Sequence, residues 1–183
     1  MKNIFSMLFP TGDCDSTYKI NFRKLYKKGY RGIMFDIDNT IVEHDQPVTK
    51  RAIKLFKLLH RLGFKTCLIS NNKEARIKPL AKKLNCEYVY KAGKPKKFGY
   101  LKGMKKMNTN IHNTVFIGDQ LFTDIWGANR AGIKSILVKP IAKHEEIQIV
   151  LKRILEKPII ALYQRSKEKQ LQKLRSLKKV RRK

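Results

Sequence analysis

Short apolar runs alternate with helically spaced apolar residues along most of this chain. Ile33, Met34 and Phe35, with Ile37 beyond, form the kind of run that a strand buried on both faces would show, over about 32–37. From 48 to 62 the period changes. Ala52, Leu55, Phe56, Leu59 and Leu62 recur at three and four residues, so a helix is expected, capped by Thr49 and stopped by Gly63. Residues 64–69 read as a second strand and 74–84 as a helix that Pro79 should weaken or kink. A short third strand at 87–90 precedes a helix at 97–107. A fourth strand at 114–117 leads to a helix at 122–131 ended by Gly132, and a fifth strand at 134–138 is closed by Pro140. Ahead of this series, 10–16 has turn character and 21–28 suits a short helix that Gly29 would end. Strands and helices alternating at such intervals predict an α/β fold, a doubly wound parallel sheet covered on both faces.

The division expected is an N-terminal lead-in at 1–30, a catalytic domain at 31–142 and a basic helical extension at 143–183. A hydrophobic content of 42% is enough for a real core. No run of about 18 apolar residues predicts a membrane span, and the start lacks a clear signal peptide. Cys14, Cys67 and Cys86 are scattered and odd in number, as free thiols in a reducing cytoplasm would be. The balance of 42 basic against 14 acidic residues leaves a formal charge of +28, which draws a protein towards polyanions. An AT-rich genome would produce the same excess, since lysine outnumbers arginine 31 to 11.

Against that background the acidic residues that do occur are informative. The first strand ends in Asp36-Ile-Asp-Asn-Thr40. Residues i and i+2 of a strand share a face, so Asp36 and Asp38 are expected to point together from its carboxyl end, where open α/β sheets bind ligands. Two close carboxylates call for a shared proton or a cation, and Mg²⁺ suits oxygen ligands. Taken alone, Asp-x-Asp-Asn-Thr is equally a turn. Ser70 ends the second strand, Lys94 lies in Gly93-Lys94-Pro95, and Gly118-Asp-Gln-Leu-Phe-Thr-Asp124 follows the fourth strand.

These four stretches, in this order and each after an apolar strand, resemble the four motifs of the haloacid dehalogenase-like (HAD) phosphatases. Over the whole chain the likeness is to the YqeG-like group of HAD subclass IIIA, related to mitochondrial and plastid phosphatidylglycerophosphatases. It rests on 32–40, Ile69-Ser-Asn-Asn72, Lys94-Pro95 and 118–124 with Asn129-Arg-Ala-Gly132.

The resemblance implies a Mg²⁺-dependent phosphomonoester hydrolase working through an aspartyl-phosphate. Asp36 would be the nucleophile and Asp38 the general acid and base. Ser70 and Lys94 complete the catalytic set, with Asn39, Thr40, Ser70, Asn71 and Lys94 around the phosphate. Mg²⁺ would be held by Asp36, Asp119, Asp124 and the main-chain carbonyl of Asp38. The segments 40–70 and 71–94 are too short for a cap domain, so a capless, open site is expected. Phosphatidylglycerophosphate is then one substrate, with nucleic-acid ends or small phosphate esters as alternatives. A phosphotransferase, or a non-catalytic RNA- or ribosome-associated basic module, is a further alternative.

The C-terminal stretch adds a separate hint. Ile147, Val150, Leu151, Ile154 and Leu155 form an apolar stripe expected to pack on the sheet, and Pro158 is expected to break it. From 163 to 183 the chain carries ten Lys/Arg and one Glu, with Leu171, Leu174 and Leu177 every third residue. Such a tail suits an anionic membrane surface, RNA, or plain solvent. The expected location is cytoplasmic, with the inner face of the membrane as a peripheral site.

Overall fold

The computed structural model describes residues 7–142 and 147–180. Two compact units are present, Met1–Glu145 and Glu146–Lys183. The first is built on strands β1 (Gly12–Cys14), β2 (Gly32–Phe35), β3 (Lys65–Ile69), β4 (Glu87–Val89), β5 (Thr114–Gly118) and β6 (Lys134–Val138). Helices α1 (Phe22–Lys27), α2 (Lys50–Arg61), α3 (Glu74–Leu84), α4 (Phe98–Met107) and α5 (Trp126–Arg130) connect them. All strands pair in parallel, in the order β1-β6-β5-β2-β3-β4.

Alternation along the central strands divides their side chains between two cores. Ile33 and Phe35 of β2, Leu68 of β3, and Val115 and Ile117 of β5 face one core with Phe56 and Leu59 of α2 and Ile77 and Leu80 of α3. Met34, Cys67, Ile69 and Phe116 face the other with Tyr100 and Met104 of α4 and Ala128 of α5. Each fully buried Ile, Phe or Met contributes about 1.5–3 kcal/mol of burial free energy. The expected doubly wound sheet is therefore present. From β2 the chain continues to β3 on one side, while β5 pairs on the other. That switch point opens a crevice at the carboxyl ends of β2 and β5, where ligands bind in such sheets.

Several local expectations need correction. Residues 12–14 form edge strand β1 beside β6, making six strands instead of five. Its three residues take their order from that pairing, which a local pattern cannot register. Thr49 does cap α2, accepting from Ala52 N at 3.1 Å. The helix expected at 74–84 is present as α3 with Pro79 inside it, where the proline is exposed and the carbonyl it leaves unpaired can reach water. The helix expected at 122–131 is instead a π-helical turn, Leu121–Ile125, running into α5.

The second unit is a single helix, α6 (Ile147–Val180), with Pro158 inside it. Pro158 does not break this helix: both it and Ile154, whose carbonyl loses its partner, are exposed. Ile154 and Leu155 are 52% and 64% exposed. The side chains of Ile147, Val150 and Leu151 lie outside the described residues. Among the described residues, no helix is long and apolar enough to cross a membrane.

Candidate active site

Asp36 follows directly on β2 and Asp119 directly on β5, and the two strands are paired neighbours. Asp36 N donates to Ile117 O at 2.9 Å, which ties the first acidic turn to the strand leading into the second. Asp124 comes from the π-helical turn. Its carboxylate folds back to accept from Gln120 N at 3.1 Å, while Asp124 N donates to Gln120 O at 3.0 Å. Gly118 makes room for this. A Cβ there would lie 2.5 Å from Asp124 Oδ2. The need for glycine is thus space for a carboxylate; a tight backbone turn at Gly118 does not require it.

Carboxylate oxygens of Asp36, Asp119 and Asp124 lie within 4.8 Å of one another, and all three residues are buried. Lys94 Nζ joins them, ion-paired with Asp36 and 2.7 Å from Asp124 Oδ1. Its side chain is only 5% exposed. Asn71 fixes the backbone at this lysine from both directions. Lys94 N donates to Asn71 Oδ1 at 2.7 Å, and Asn71 Nδ2 donates to Lys94 O at 3.1 Å. The Lys94-Pro95 peptide is cis.

Electrostatics explains why such a cluster needs a cation. Burial pushes the Asp36 carboxyl well above the ordinary carboxylate range; Lys94 pulls it down, while Asp124 and Asp119 raise it further. For Lys94 burial alone would lower the ammonium, but Asp124 and Asp36 outweigh it and hold its pKa well above the usual lysine value. Three carboxylates against one ammonium leave two negative charges uncompensated when all are ionised. An all-oxygen donor set with that deficit fits a hard divalent ion.

The expected site residues do not all converge. Thr40 Oγ1 donates to Asp119 Oδ1 at 2.8 Å, so it orients an acidic side chain instead of facing open space. Asn39 is buried in the left-handed region (φ 62°), where its backbone bonds Val42 and Ile141 and its Oδ1 accepts from Ala142 N. Ser70 Oγ accepts from Asn72 N at 3.1 Å. After Thr40 the chain forms one isolated bridge, Asp38 to Val42, within turns.

Asp38 parts company with Asp36. The strand ends at Phe35, so the shared-face rule lapses before both aspartates are placed. Its carboxylate accepts from Asn72 Nδ2 and from Arg76 Nη2, each at 2.9 Å, and from Asp45 N at 3.2 Å. Arg76 also donates to Gln46 O, linking α3 to the loop after β2. Sequence reasoning gave neither Arg76 nor Asn72 a role in the site. One signal was available: Arg76 sits in the first turn of α3, where the helix dipole disfavours a cation.

The family model described as haloacid dehalogenase-like hydrolase matches residues 44–132. A relative in Bacillus subtilis (strain 168), "Probable phosphatase YqeG", is 36% identical over 149 residues, covering 81% of this chain and 87% of that protein. The chain belongs to the haloacid dehalogenase-like hydrolases. Within them it is a phosphatase. The crystal structure of an uncharacterized protein from Listeria monocytogenes serotype 4b shares the fold of this phosphatase, with a TM-score of 0.51 and 18% identity, covering 64% of this chain and 84% of that one. A hypothetical protein from Xanthomonas campestris is similar at a TM-score of 0.50 and 16% identity, over 61% and 66% of the two chains.

Proposed function

We propose that this phosphatase is a Mg²⁺-dependent phosphomonoesterase that works through an aspartyl-phosphate on Asp36. The observation that carries the reading is Lys94, buried between Asp36 and Asp124 with Asp119 alongside. Phosphoryl transfer is mainly positioning and charge neutralisation, and this cluster concentrates both. Asp36, Asp119 and Asp124 would hold Mg²⁺, with the main-chain carbonyl of Asp38 as a further ligand. The ion would supply charge neutralisation for the phosphoryl oxygens.

In the first half-reaction a carboxylate oxygen of Asp36 attacks phosphorus. The bond to the ester oxygen breaks, and that oxygen takes a proton from the Asp38 carboxyl. In the second, water attacks the aspartyl-phosphate, Asp38 takes its proton back, and the phosphorus–Asp36 bond breaks to release phosphate. Lys94 stays charged throughout, as its raised pKa supports. Asn71 holds the lysine loop, and Thr40 aims Asp119. Ser70 and Asn39 are assigned to the phosphate side of the site.

The segment between Thr40 and Lys94 folds only as turns, α2, β3, α3 and β4, so among the described residues it holds no inserted cap domain. An open mouth suits a phosphate presented on something large. The substrate favoured here is the terminal phosphate of an anionic lipid headgroup such as phosphatidylglycerophosphate. The basic α6 would serve as a peripheral contact with the membrane's inner face; RNA is its other possible partner.

The test is phosphate release from phosphatidylglycerophosphate in anionic vesicles beside a panel of soluble phosphomonoesters and phosphorylated nucleic-acid ends. Asp36→Asn and chelated protein serve as controls. Lipid turnover needing Asp36 and Mg²⁺ is expected. Turnover of soluble esters alone would remove the lipid, and no turnover of any ester would remove the catalytic assignment.

A further inference from the structure

Apolar side chains are exposed on α4, the helix that follows the Lys94 loop, and at the end of β4. Phe98, the first residue of α4, is 69% exposed, Leu101 one turn on is 42% exposed, and Tyr90, just beyond β4, is 38% exposed. Single exposed apolar residues are ordinary; a cluster is not. Phe98 and Leu101 lie on one face of α4 by their spacing, and Lys102 on the same face reaches over the Tyr90 ring at 5.9 Å. The opposite face of α4 carries buried Tyr100, Met104 and Met107. Gly99 packs so closely on Ala92 that a Cβ would lie 2.6 Å from the Ala92 carbonyl oxygen. That contact sets the first turn of α4 against the loop containing Lys94, four residues before Phe98. The patch is therefore held against that loop. Its charged members, Lys91, Lys97 and Lys102, are all exposed lysines.

We infer that this patch is an interfacial surface that seats the crevice on an anionic lipid bilayer. The inference deepens the lipid reading of the active site and rests on it for its functional consequence. Phe98, Leu101 and Tyr90 enter the headgroup and acyl boundary, while the three lysines remain at the level of the lipid phosphates. A phosphate on a headgroup then approaches Asp36 without leaving the membrane. Exposed aromatic and basic side chains also bind single-stranded nucleic acid by stacking. Here the aliphatic Leu101 beside Phe98 has no stacking role, and the patch's cations are point charges without the bidentate geometry that reads base edges.

The experiment compares full-length protein with Phe98→Glu/Leu101→Glu, in co-sedimentation with phosphatidylglycerol vesicles, with phosphatidylcholine vesicles, and in binding to single-stranded RNA. Turnover of a soluble ester runs in parallel. The wild type is expected on the anionic vesicles only, with the double variant binding at least tenfold more weakly and hydrolysing the soluble ester at an unchanged rate. Vesicle binding equal in both proteins would overturn the patch and leave α6 as the contact. RNA binding lost in the double variant, without vesicle binding, would overturn it in favour of nucleic acid. Absence of soluble turnover would sink the catalytic reading separately, since vesicle binding is scored without it.

Discussion

Arg76 Nη2 lies 2.9 Å from Asp38 Oδ1, and the same guanidinium holds the main-chain oxygen of Gln46 at 3.1 Å. One side chain of α3 thereby fixes the aspartate assigned as acid and base to the loop that follows it. Arg76→Ala is expected to lower kcat about ten- to a hundredfold on alkyl phosphates, whose leaving oxygen needs a proton. Aryl phosphates with good leaving groups should suffer far less, KM should hardly move, and added guanidinium should restore part of the rate. Equal losses on both substrate classes would show a merely structural arginine.

Lys94 is the counter-charge of three buried carboxylates. In Lys94→Met those carboxylates lose their ammonium partner, which in a buried site costs about 3–5 kcal/mol. Thermal unfolding without metal should show a clear drop in Tm. Added Mg²⁺ should raise the Tm of the variant more than that of the wild type, because the deficit it neutralises has grown by one charge. Turnover should fall by about a thousandfold.

Gly118 offers a test that changes no ligand. Its Cα lies under Asp124, whose carboxylate is already pinned by Lys94 and Gln120 N, so the clash of an alanine methyl has no easy relief. Gly118→Ala should lower stability by about 1–3 kcal/mol and abolish the Mg²⁺-dependent rise in Tm. Gly12→Ala in β1, where nothing lies within 4 Å of the added methyl, should leave both unchanged.

His60 supplies a pH signature away from the crevice. Burial, then the charge of Lys65, lowers its pKa below the ordinary 6.5, and its Nε2 lies 3.0 Å from Thr66 Oγ1. A histidine with a depressed folded pKa contributes stability above its unfolded value that is lost as pH falls through the folded one. Stability should therefore decline as the pH drops below 6.5. Urea titrations of His60→Gln should show a shallower decline in that window.

Much of this protein can be read from its residues in order. The unbroken run at Ile33, Met34 and Phe35 and the helical period of Leu55, Phe56 and Leu59 determine the alternating α/β plan, because burial imposes its period on local sequence. The acidic turns after β2 and β5 stand out for a related reason: clustered carboxylates repel one another unless a cation or a shared proton sits between them, and acidic residues are few in so basic a chain. Local pattern does not register partners brought together from a distance. Strand order placed Asp119 beside Asp36. Beyond the end of β2 at Phe35, Asp38 pairs with Arg76, 38 residues further along the chain. The back-folded carboxylate of Asp124 accompanies a π-helical turn where helical spacing predicts an α-helix. Edge strand β1 exists through its pairing with β6, and α6 continues through Pro158 because water reaches the carbonyl left open there. These outcomes depend on which groups meet across the sheet, and on whether solvent can replace a missing bond. Both are properties of the folded arrangement, beyond any single stretch of chain.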